Sequence, residues 1–154
     1  MHEVLSDQEV ARRLRKEHDL LQELGSRLKE SLRFIPGTDR DAWLATLRDR
    51  YEHFRAHMYK RLALEEVGGF LKVVLERRPT LSAQVAHLKL EHEEILSLID
   101  AVHAELKTAK SSDSALLNEC ALRIRHILSE VEHHEDHENM LVEFVFSQDL
   151  GGET

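Results

Sequence analysis

The chain has 154 residues, with 21 Lys and Arg against 29 Asp and Glu and a net charge of −8. That length suits a single domain over residues 1–154, and the acidic balance excludes the basic footprint of a nucleic-acid binder. One cysteine rules out an internal disulfide framework and fits a reducing, cytoplasmic setting, while six Gly and two Pro are too few for the turns of an all-β domain.

The start, Met1-His2-Glu3-Val4-Leu5, lacks the basic-then-apolar order of a signal peptide. No apolar run of about 18 residues suggests a membrane span. The outlying count is histidine, with 11.

Breakers divide the chain. Pro36-Gly37, Pro79 and Ser111-Ser112-Asp113-Ser114 separate four long charged stretches, and Gly151-Gly152 closes the last. Each stretch carries apolar residues at steps of three and four, the mark of an amphipathic helix. The first stripe is Val10, Leu14, Leu21, Leu28 and Leu32, behind a capping box Ser6-Asp7-Gln8-Glu9. The second is Leu47, Tyr51, Phe54 and Met58, with Trp43 near its start, on a helix expected to run to about residue 77. The third is Val85, Leu88, Ile95, Ile99, Val102 and Leu106. The fourth is Leu117, Cys120, Ile124, Ile127, Val131, Leu141 and Val145. Four such helices with short connections predict an all-α, antiparallel up-down-up-down four-helix bundle. Gly25 and Gly68-Gly69 interrupt the helical pattern and mark places for a kink or a close approach.

All four stripes turn polar part-way along. His18 stands between Leu14 and Leu21, and Arg61 and Glu65 continue the stripe past Met58. His92 lies between Leu88 and Ile95, and His134 and Glu138 lie between Val131 and Leu141. His134 and Glu138 are four residues apart, on one helix face, so both can reach one ion. Counting outward from the shared loops sets Glu65 beside His92, His92 one turn from His134, and His18 opposite position 135. The same count faces His18 with His57, a reserve ligand on the second helix.

A single His on an apolar face is ordinarily a hydrogen-bonded core residue. Polar breaks on four helices at one height are a different matter. Buried carboxylates cost several kcal/mol each unless compensated, so the layer requires a cation, either a metal or Arg61. Imidazole and carboxylate donors suit iron, manganese or zinc. The other histidines carry less: His133 and His137 flank the stripe, His53 precedes Arg61, and His2, His87, His103 and His126 read as surface or packing residues. Cys120 lies on the apolar stripe and reads as an inert core thiol.

With these residues in hand, the chain resembles the hemerythrin-like HHE cation-binding domains over nearly its whole length. Glu17-His18-Asp19-Leu20-Leu21 resembles that family's first-helix histidine, and Leu64-Glu65-Glu66-Val67-Gly68-Gly69-Phe70-Leu71 its second-helix glutamate segment. Glu91-His92-Glu93-Glu94-Ile95 is similar to its third-helix histidine, and His134-Glu135-Asp136-His137-Glu138-Asn139 to its fourth-helix histidine and carboxylate. The resemblance implies a non-haem iron site, mono- or dinuclear, in a protein that binds dioxygen, senses oxygen or redox state, or handles iron, and that is not an enzyme. Three positions depart from the family pattern: Arg61 and Leu88 where it has histidines, and Asn139 where it has an aspartate. The remaining metal-ligand set is His18, Glu65, His92, His134 and Glu138, with His57 in reserve.

Other readings start from the same residues. A metal-free structural or signalling bundle would use Arg61 in place of the metal. A ferritin-like ferroxidase would need Glu-x-x-His motifs on two helices, and only Glu130-Val131-Glu132-His133 offers one, off the stripe. A histidine phosphotransfer bundle would need an exposed His on a polar face, and His87-Leu88-Lys89 matches that poorly. Neither a protein partner nor an oligomeric state is legible.

Overall fold

The computed structural model describes residues 7–67 and 69–147. Ser6 of the expected capping box, His2, Gly68, the closing Gly151-Gly152 and the side chain of Val10 lie outside the described residues. The elements are α1 (Asp7–Leu32), α2 (Arg40–Val67), α3 (Phe70–Arg77), a 3-10 turn (Pro79–Leu81), α4 (Ser82–Thr108), α5 (Ser114–Val142) and a terminal π-turn (Glu143–Ser147).

The long helices α1, α2, α4 and α5 form the expected antiparallel bundle, and polar contacts fix its directions. On α1 and α2, Trp43 Nε1 donates to the Ser31 carbonyl at 2.9 Å, Arg50 donates to the Arg27 carbonyl, and His57 meets Glu17. Positions rise on one helix as they fall on the other. The α2–α4 face repeats this with Tyr51 Oη donating to the Ile99 carbonyl and Glu65 beside His92. So does α4–α5, through Arg123–Glu105 and His134–Glu91. At the start of α5, the Asp113 side chain accepts from the Leu116 N–H at 3.1 Å, the cap that the polar cluster around it predicts.

One expectation changes. The second helix was expected to continue to about residue 77, but the chain breaks after Val67 and restarts as α3. Gly69 is the reason. Its backbone is extended, and a Cβ there would lie 1.8 Å from the Glu65 carbonyl oxygen. Only glycine allows the chain to turn back this tightly over the end of α2.

Gly25 has no such requirement. A Cβ there would sit 3.6 Å from Leu128 Cδ2, an ordinary contact. Gly25→Ala should therefore stabilise the fold by about 0.5–1 kcal/mol, the helix-propensity gain, read as a higher denaturant midpoint.

The apolar interior is divided in two. The larger cluster includes Phe54, Met58, Leu62, Ile95, Ile99, Ile127 and Val131. The smaller is built from Phe70, Leu71 and Val74 of α3 with Val85, Leu88, Leu141, Val142, Val145 and Phe146. On α2, α4 and α5 the residues between these clusters are Arg61, Glu65, His92, His134, Glu135 and Glu138, all buried. Cys120 belongs to the larger cluster, and burial, with Glu105 nearby, pushes its thiol up to about 11. It should resist alkylation at neutral pH in the folded protein and react promptly once denaturant is added.

Candidate metal centre

The polar layer is placed by helix register. Glu65 ends the inward face of α2, one turn after Arg61. His92 replaces an apolar residue on the inward face of α4, and His134 and Glu138 stand one turn apart on α5. Among the described residues, Glu65, His92, His134 and Glu138 each direct one donor atom to a common point, all within 4.8 Å of one another. His92 Nε2 lies 2.9 Å from Glu138 Oε1 and 3.0 Å from Glu65 Oε2. His134 Nε2 is in close contact with the same Glu138 Oε1. The two rings meet edge to face, with centroids 4.5 Å apart.

The far nitrogens are held too. His92 Nδ1 is 3.2 Å from Glu66 Oε1, and His134 Nδ1 is 3.2 Å from Glu91 Oε1. A carboxylate only accepts, so each Nδ1 carries the proton and donates. Each Nε2 in turn faces further carboxylate oxygens. Two lone-pair-bearing groups facing each other repel, so a cation must stand between them: either a proton on Nε2 or a metal ion. Metal-ligating histidines are commonly oriented in this way, with a carboxylate on Nδ1 fixing the ring while Nε2 binds the ion. Both oxygens of Glu65, Nε2 of His134 and Oε2 of Glu138 are buried with no hydrogen-bond partner of good geometry.

Arg61 is the second half of the layer. It is 2% exposed and points inward. Its guanidinium contacts Glu135 Oε2 closely, lies 3.2 Å from Glu65 Oε1 and reaches within 3.7 Å of Glu138 Oε2. Glu135 did not figure among the expected ligands. Two signals pointed to it: it stands four residues after Val131 and three before Glu138, and the count from His18 lands on it. With Glu135 included, three carboxylates bring −3 and Arg61 returns +1, so with the carboxylates ionised and the imidazoles neutral the layer sums to −2.

These charges shape the proton affinities. Burial pushes the Glu65 carboxyl well above its usual range, although His92 beside it pulls the other way. Burial also raises Glu135, against the attraction of Arg61. For Glu138 burial would do the same, but contacts from His134 and His92 overturn it and hold the carboxyl below its usual range. Burial alone would lower His92. The carboxylates of Glu138 and Glu65 outweigh it and push the imidazole up to about 10.

His18 and His57 do not join the four-residue group. His18 Nδ1 lies 3.2 Å from Glu135 Oε2, with its side chain 23% exposed, so the Arg61–Glu135 pair separates it from the cluster. It lines an open cleft of about 390 Å³ with Leu21, Gly25, Phe54, Val131 and Glu135. His57 is buried against Glu17, 3.5 Å away, and burial lowers its proton affinity. Leu88, one turn before His92, is fully buried in the smaller apolar cluster. His133 is exposed, which sets the Glu130–His133 motif outside the layer.

Comparison with protein-family models, with curated proteins and with solved structures returned no match.

Proposed function

We propose that the bundle is a metal-binding protein whose interior layer takes one divalent transition metal ion on Glu65, His92, His134 and Glu138. The observation that carries this reading is the pair of buried imidazoles with a carboxylate at both nitrogens, in a layer whose groups sum to −2 before protons are counted. One divalent ion makes that layer neutral. A second would bring it to +2 between two apolar clusters, a charge that is costly to bury. Two imidazoles and two carboxylates suit iron, manganese and zinc alike. Iron is the choice the hemerythrin-like resemblance favours, and with it a role in oxygen or redox sensing or iron handling, with dioxygen as partner. A carrier or sensor in the reducing cytoplasm, rather than an enzyme, is part of the same proposal.

Arg61 favours a second reading, a metal-free structural or signalling bundle in which protons and the guanidinium alone compensate the layer. The two readings differ in what a metal does to the protons. The layer's −2 is balanced in the metal-free state by up to two protons, and one divalent ion replaces them. Metal binding should therefore release one to two protons per ion, and affinity should rise with pH up to about 10, where His92 loses its proton unaided. Calorimetry in buffers of different ionisation enthalpy measures this directly. Uptake of a divalent ion without proton release would contradict the assignment of these ligands.

The metal-free protein has a matching pH dependence. His92 and Glu65 both bind protons more tightly folded than unfolded. Their contribution to stability is fully present below the unfolded values and is lost as pH rises through the folded ones. Stability of the metal-free protein should thus fall between pH 6.5 and about 10, and bound metal should flatten that slope.

A further inference from the structure

The open cleft at His18 has a lining that the metal reading does not use. It lies between α1 and α5, over Phe54 of α2. Leu21, Phe54, Leu128 and Val131 give it an apolar floor, and each of them is buried. Glu132, Glu135 and Asp136 of α5 bring carboxylates, set on one side of the helix by their spacing of three and four. Lys29 of α1 meets Glu132 at 2.5 Å. Asp136 is exposed at the rim. Glu135 is buried, with its side chain 3% exposed. Its Oε2 takes both His18 and Arg61, while its Oε1 is buried with no hydrogen-bond partner.

A carboxylate oxygen held out of water without a donor costs free energy that a ligand's N–H would recover. The cleft measures about 390 Å³, within the range of small-molecule pockets. A cavity of about 150 Å³ already accepts benzene, so a ring with a short chain fits. Lys29 pairs with Glu132, which leaves Glu135 and Asp136 to present negative charge to an occupant. Among the described residues only the buried group brings three or more ligand atoms together, so these carboxylates do not form a metal site. We propose that the cleft binds a small organic cation: a primary amine whose ammonium donates to Glu135 and Asp136 and whose apolar body lies on Leu21, Phe54, Leu128 and Val131.

The chemistry selects this class over its neighbours. An ammonium has three donors and no acceptor, and a carboxylate only accepts, so the two match without an unpaired group. Charge on both partners makes each such hydrogen bond stronger than a neutral one. An alcohol of the same shape keeps the apolar contact and loses that gain, and an anion meets like charge at Glu135 and Asp136. A cation without the hydrocarbon leaves the floor wet. The inference stands without the metal reading, since none of Glu65, His92, His134 and Glu138 lines the cleft.

The test is a titration of the full chain with 2-phenylethylamine, followed by NMR chemical shifts, with 2-phenylethanol and ethylamine as controls. Wild type should bind the amine with a Kd below about 1 mM, with the shifts confined to α1, α2 and α5 around the cleft. Both controls should bind about tenfold more weakly, and Glu135→Gln should cost the amine about tenfold, the loss of one charge-assisted hydrogen bond. Asp136→Asn, at an exposed position that the fold does not need, should weaken it in the same direction and decides the matter if Glu135→Gln does not fold. Equal binding of the alcohol would mean an apolar groove with no recognition of charge and overturns the proposal. Equal binding of ethylamine would mean diffuse attraction to a chain of net charge −8 and overturns it too. So would an amine that fails to saturate the wild type, or one whose affinity both variants leave unchanged.

Discussion

Saturation with a divalent transition metal should raise the melting temperature by roughly 5–10 °C. A ligand that binds only the folded state stabilises by about 2.7 kcal/mol at a hundredfold excess over its Kd. For a chain of this length, each kcal/mol moves the midpoint by about 2–4 °C. Glu65, His92 and the His134–Glu138 pair come from three helices far apart in sequence, so the unfolded chain offers no comparable site. His134→Ala should abolish the shift, and a chelator should reverse it in the wild type. A melt that ignores both metal and chelator would mean that the two apolar clusters carry the fold alone and that protons suffice for the layer.

Arg61→Met should cost about 3–5 kcal/mol in the metal-free protein, the range for removing one partner of a buried ion pair. Methionine keeps much of the volume, so the loss is chiefly one of charge: Glu65, Glu135 and Glu138 are left at −3 with no fixed cation. Glu135→Leu in the same chain should recover most of the loss, because it removes the carboxylate in closest contact with Arg61. Denaturant midpoints of wild type, both single variants and the double variant give the coupling directly. Metal separates the two functional readings here. If the layer is a metal site, a divalent ion should restore part of the stability of Arg61→Met, and Arg61→His should take up more metal than wild type. If Arg61 replaces the metal, no ion should rescue Arg61→Met. A cost under about 1 kcal/mol would show that the guanidinium is not what compensates this layer.

Much of this arrangement was legible in the sequence because helix periodicity reports which face turns inward. Glu65, His92, His134 and Glu138 interrupt apolar stripes at steps of three and four, and all four are buried. Glu135 follows the same steps, but the unbroken polar run from Glu132 to Asn139 offers more than one inward phase. Glu66 and Glu91 were not legible. They lie beside the stripes, and whether they meet the far nitrogens of His92 and His134 depends on how neighbouring helices are rotated, which the pattern of a single helix does not carry. His18 failed for a related reason. The count through the loops gave its height correctly, opposite position 135, but height does not reveal that Arg61 and Glu135 stand in front of it. The break at Gly68-Gly69 was marked by composition. That α3 would then seal the layer with Phe70, Leu71 and Val74 follows only from the tertiary packing.

Placing α3 there has a functional consequence. The layer is flanked along the bundle by apolar side chains on both sides, which raises the strength of every charge interaction inside it. The described helices include none long and apolar enough to cross a membrane.

The central claim is that one metal ion sits among Glu65, His92, His134 and Glu138. Its most direct test is the metal content of protein loaded anaerobically with Fe²⁺ and then passed over a desalting column, for wild type and for His92→Ala. The account gives one iron per chain retained by the wild type and none at this site in His92→Ala. No retained iron in a folded wild type, or two irons per chain held as tightly in His92→Ala, would contradict it.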